Sequence, residues 1–141
     1  MTVQLRAHHL LCVLTYVGKG YTPAFVAGYD RIVARLAAGE AVEMVEGPDD
    51  VCAPLLGTED RHCDAPSTGR RDARAARAVA KLLGRPVAPG ARLRLDRATL
   101  AALREAVSAG RFAAVCAGCP WQGLCRQIAG EGYPGVRLRA P

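Results

Sequence analysis

The chain has 141 residues, 50% of them hydrophobic and 23% charged, with a net charge of +6 at pH 7. Those values exclude a disordered or fibrous chain and fit one domain, residues 1–141, large enough for a real core. No apolar run approaches the roughly 18 residues of a membrane span, and Arg6, His8 and His9 interrupt the one early apolar stretch. The expected setting is therefore the cytoplasm, with no membrane partner. Thiols stay reduced there, so six cysteines point to metal chemistry before they point to three disulfides. The positive charge permits nucleic acid as a partner without requiring it.

Taken in order, Thr2 to Arg6 alternates apolar and polar residues and predicts a short strand. His8 to Val17 reads as a helix with Leu10, Leu11, Leu14 and Val17 inward. His8 and Cys12 fall four apart on one face. The pair could be half of a metal site, but His8 is read as a residue capping or bridging at the helix start, and Cys12 as a small buried hydrophobe. Gly18-Lys19-Gly20 fits no nucleotide-binding spacing and is read as a turn. Thr22 before Pro23 is a strong helix start, and Phe25, Tyr29, Ile32 and Leu36 make the clearest amphipathic stripe before Gly39. Tyr29 is read as core.

Val42 to Glu46 predicts a second strand, followed by a long loop with two polar clusters. One holds Asp49, Asp50 and Cys52; the other holds Glu59, Asp60, His62, Cys63 and Asp64. A loop of that length is held by something, and a metal would hold it. A helix capped by Ser67 or Thr68 runs to Leu83, with Arg70, Arg74, Arg77 and Lys81 gathered as a solvated basic face. Leu93 to Leu95 predicts a short strand, and Asp96 caps a helix ending at Gly110. Gly135 to Arg139 is expected to close the sheet as an edge strand. The fold class is α+β: a helix-rich domain of four or five helices, a small sheet of short strands, and a Cys-rich site near the C-terminus.

That site is Cys116-Ala-Gly-Cys119-Pro-Trp-Gln-Gly-Leu-Cys125, spaced C-x2-C-x5-C. Gly118 frees the backbone between the first two thiols, Pro120 fixes it after them, and a short helix starting near Pro120 returns the third. Trp121, the only tryptophan, lies inside the arc and would shield a cluster from water. Iron–sulfur clusters and structural zinc both want four ligands. The fourth must come from upstream, with Cys63 or Cys52 favoured over Cys12, His8, His9 and His62 because their loop can aim a thiolate. Three such thiolates with a distant fourth are similar to the arrangement of WhiB-like regulators, which nothing else in the chain resembles.

Leu5-Arg-Ala-His-His-Leu-Leu-Cys12, Gly18-Lys-Gly-Tyr21-Thr-Pro-Ala-Phe25, Gly47-Pro-Asp-Asp-Val-Cys52, His62-Cys63 and the C-terminal arc together resemble the domain-of-unknown-function 1284 family. These are short bacterial and archaeal proteins suspected of binding iron–sulfur clusters. Some of them carry a further cysteine where this chain has Leu55, so the resemblance implies one central thiolate rather than two.

Three functional readings follow. The first is a [4Fe–4S] protein with Cys116, Cys119, Cys125 and Cys63 or Cys52 as ligands, serving electron transfer with a redox partner, or redox sensing. The second is a structural Zn2+ site on the same thiolates, with His62 as a further candidate ligand, in a protein that binds nucleic acid or another protein. The third is an enzyme with Cys12 or Cys63 activated by His8, His9 or His62; sequence adjacency is weak support for it.

Overall fold

In the computed structural model the described residues are 2–55, 66–116, 119 and 122–140. Three strands form one sheet in the order β1 (Thr2–Leu5), β2 (Ala41–Met44), β3 (Arg92–Leu93). β1 and β2 are parallel, in register from Thr2 with Ala41 to Leu5 with Met44. Parallel neighbours need a crossover. It is made by α1 (His9–Thr15) and α2 (Pro23–Ala37). β3 pairs antiparallel with β2.

Each strand alternates as the sequence predicts: Val3, Leu5, Val42 and Met44 are buried between exposed or half-buried neighbours. The Thr22 hydroxyl caps α2 by accepting from Phe25 N at 3.0 Å. Asp96 caps α4 (Arg97–Ser108) by accepting from Thr99 N at 2.8 Å. The core joins the sheet to Leu10 and Leu14 of α1, Ile32 and Leu36 of α2, and Leu100 and Leu103 of α4.

α3 (Pro66–Leu83), α5 (Ala113–Cys116) and α6 (Gln122–Gly130) complete six α-helices among the described residues, more than the four or five expected. The surplus is α5, a single turn too short to show a period. α3 already begins at Pro66, and Thr68 is buried within it, so neither Ser67 nor Thr68 is its cap.

The C-terminal segment corrects the sequence reading. Val136 and Leu138 are buried in alternation, yet no strand forms there. Its backbone groups are spent elsewhere: Arg137 N donates to Tyr16 O at 3.0 Å, and Leu138 O accepts from the Arg104 guanidinium at 2.7 Å. The same guanidinium reaches Leu14 O, an end carbonyl of α1, at 3.1 Å. A side chain of α4 thus ties the tail to α1.

Candidate metal centre

α1 carries most of the site. Its N-cap, His8, uses no side-chain cap; the His8 amide and ring Nδ1 instead reach Asp72 Oδ1 of α3, at 3.1 and 2.6 Å. Asp72 Oδ2 accepts from Arg6 Nε at 2.7 Å, and both Arg6 and His8 are buried. Burial drops the His8 pKa to about 4, against the opposing pull of the Asp72 hydrogen bond. At neutral pH the imidazole is therefore uncharged. A carboxylate can only accept, so the proton sits on Nδ1 and Nε2 is left as a base.

His9 repeats the arrangement on the other side. Its Nδ1 lies 2.7 Å from Asp49 Oδ2, and the Asp49 side chain is fully buried. Asp49 also accepts from Arg6 N at 2.7 Å and Cys52 N at 3.1 Å. Burial pushes the Asp49 pKa up, but His9 and these two amides outweigh it and hold the carboxyl below its usual range. Asp72 follows the same balance, with burial outweighed by His8 and Arg6. Asp50 completes the anchor by accepting from Gln4 N at 2.9 Å. The segment after β2 is thus pinned by two carboxylates to β1 and to the Arg6 amide just beyond it.

These imidazoles share a cavity of about 100 Å³ with Cys12, Cys52, Cys119 and Cys125. Cys12, Cys119 and Cys125 are thiols. Cys52 is held in a disulfide. Thr15 Oγ1, one turn beyond Cys12 on α1, donates to Cys125 Sγ of α6 at 3.1 Å. Burial raises the Cys125 pKa, Thr15 lowers it, and the neighbouring Cys119 raises it further. A ring nitrogen of His9, an Asp49 oxygen and Cys52 Sγ fall within 4.8 Å of one another. That grouping is a hydrogen-bonded cradle as it stands, since Nδ1 and the carboxylate already satisfy each other.

The remaining wall is aromatic. Tyr16 and Tyr29 stack with centroids 4.0 Å apart, and Phe25 meets Tyr29 edge-on at 5.5 Å. Tyr29 is core, as its place in the α2 stripe implies, but its hydroxyl is buried with no hydrogen-bond partner among the described residues. Burial drives its pKa well up, and the nearby Cys12, Asp49 and Cys125 add to that. A phenol left unsatisfied costs about 1–3 kcal/mol. Its position on the cavity wall shows where an acceptor would be welcome.

Of the sequence-derived site residues, Cys119, Cys125 and Cys52 come to this one cavity. Cys63, Trp121 and the side chain of Cys116 lie outside the described residues, as does the second polar cluster with His62. Cys12 differs from expectation: it is half-buried on the cavity wall rather than sealed in the core. Asp72 was missed altogether. Its only trace in the sequence is that it stands as a single acid among Arg70, Arg71 and Arg74.

Residues 20–125 match the family described as protein of unknown function (DUF1284). The chain belongs to that family. The DUF1284 match takes in Tyr29, Asp49, Cys52, Asp72, Cys119 and Cys125, while His8, His9 and Cys12 precede it. No curated protein and no solved structure matches the chain. No helix among the described residues is long and apolar enough to cross a membrane.

Proposed function

We propose that the chain binds an iron–sulfur cluster of the [4Fe–4S] type in this cavity and uses it for electron transfer to a redox partner or for redox sensing in the cytoplasm. The observation that supports the reading is the meeting of the Cys12, Cys119 and Cys125 thiols with the orphaned Tyr29 hydroxyl around one cavity of about 100 Å³. The donor set is soft thiolate, which suits a cluster.

Cys119 and Cys125, with Cys116 beside them in sequence, would hold it from the α6 side. The α1 side would supply the fourth donor. Cys52 joins the candidates once its disulfide is reduced, and Cys63 stays a candidate on sequence grounds. When bound, such a cluster supplies one-electron exchange. The chain's own part is to exclude water with Tyr16, Phe25 and Leu124 and to turn hydroxyl donors toward sulfur. Thr15 already does so.

The zinc reading uses the same donors. It draws on the exposed Arg70, Arg74, Arg77 and Lys81 of α3 as a face for nucleic acid. Metal analysis separates the two. Anaerobically purified protein is expected to be brown and to carry iron and acid-labile sulfide, with loading lost in Cys119→Ser and Cys125→Ser and retained in Lys81→Ala. Colourless protein with one zinc per chain would sink the cluster reading.

A further inference from the structure

The donor on the α1 side was left unassigned above, and naming it rests on the cluster reading. We propose that His9 is a ligand of the centre, bound through Nε2, so that the cluster has mixed thiolate and imidazole ligation.

Three features carry this. The first is orientation. Metal-ligating histidines hand their second ring nitrogen to a carboxylate, which fixes the tautomer and the ring plane. His9 Nδ1 lies 2.7 Å from Asp49 Oδ2, and the carboxylate is itself fixed by the Arg6 and Cys52 amides. Asp49 takes the proton-bearing edge of the ring and leaves Nε2 as the coordinating nitrogen. The second feature is place. His9 and Cys12 sit three apart on α1 and both line the cavity with Cys119 and Cys125.

The third is the Tyr29 hydroxyl, 95% buried with its residue and unpartnered among the described residues. Tyr29 is close enough to Cys12, Asp49 and Cys125 for all three to act on it. It therefore marks the wall that Tyr29 shares with Cys12, Asp49 and Cys125 as one where an acceptor atom is missing. His9 stands there. His8 has a comparable backing from Asp72 of α3, but it is the N-cap of α1, whereas His9 lies within the helix with the buried Asp49 behind it.

Imidazole in place of thiolate makes the centre less negative and raises its reduction potential. His9→Cys should restore all-thiolate ligation, keep the cluster loaded and lower the potential. The experiment uses the full chain, anaerobically reconstituted and reduced, with histidine at natural abundance or labelled with 15N, read by pulsed electron paramagnetic resonance. The expected result is a strong coupling to one directly bound nitrogen. It should change on labelling, survive in His8→Gln and vanish in His9→Cys, with iron and sulfide content unchanged. A loaded wild-type cluster without strong nitrogen coupling overturns the His9 assignment and leaves the cluster reading standing. Coupling that persists in His9→Cys or disappears in His8→Gln overturns it as well. Wild-type protein that takes up no iron and sulfide overturns the cluster reading, and this inference with it.

Discussion

His8, buried at the start of α1 and backed by Asp72 of α3, gives the metal-free protein a defined response to pH. His8 has an ordinary pKa of 6.5 and is held near 4 in the fold. Between those values the unfolded chain takes up a proton that the folded chain refuses. Stability is therefore full above pH 6.5 and falls as pH drops toward 4, by about 3 kcal/mol in total. Urea midpoints measured across that window should show the slope, and His8→Gln should flatten it. Asp49 and Asp72, held below their usual range, add a further loss only at lower pH. Asp49→Ala removes the acceptor for two buried amides and for His9, and should cost about 2–4 kcal/mol by urea unfolding. Tyr29→Phe should do the reverse in the metal-free chain, stabilising it by about 1 kcal/mol, because the orphaned hydroxyl is gone. A loss of stability there would mean that the phenol has an acceptor after all. None of these roles was readable from the sequence one residue at a time. Asp49 stands in a polar loop cluster, Tyr29 in a core stripe and Asp72 beside a solvated basic face, and burial and partners arise only from packing.

At the scale of elements, the caps were the most legible feature. Thr22 before Pro23 and Asp96 before Arg97 accept the amides that their positions predict, because capping is decided within four residues. The C-terminal segment misled for the opposite reason. The burial of Val136 and Leu138 has the period of a strand, but strand formation also needs a partner edge, and Tyr16 O and Arg104 take its hydrogen bonds first. Arg104 is then the link between α4, the end of α1 and the tail. Arg104→Met keeps the packing of the stem but strips the donors from Leu14 O and Leu138 O, at a cost of about 2–3 kcal/mol. Hydrogen exchange at the Arg137 amide, which bonds Tyr16 O, should accelerate in that variant by more than at amides of α2.

For the whole molecule, the α+β class and most elements follow from local pattern, whereas the site follows from topology. The parallel pairing of β1 with β2 brings the loop after β2 back beside the start of α1. The packing of α1 against α6 then carries Thr15 to Cys125, 110 residues away. Sequence spacing groups Cys116, Cys119 and Cys125 but leaves Cys12 and the histidines as less favoured candidates for a fourth donor, because nothing local sets α1 beside α6. That is why Cys12 was read as core. The central claim is that this meeting point receives an inorganic centre bound through sulfur. X-ray absorption at the iron and zinc edges of anaerobically purified protein tests it most directly. The account predicts an iron edge with sulfur in the first shell and an iron–iron scattering path from a cluster. Zinc alone, with sulfur at about 2.3 Å and no metal–metal path, would contradict it.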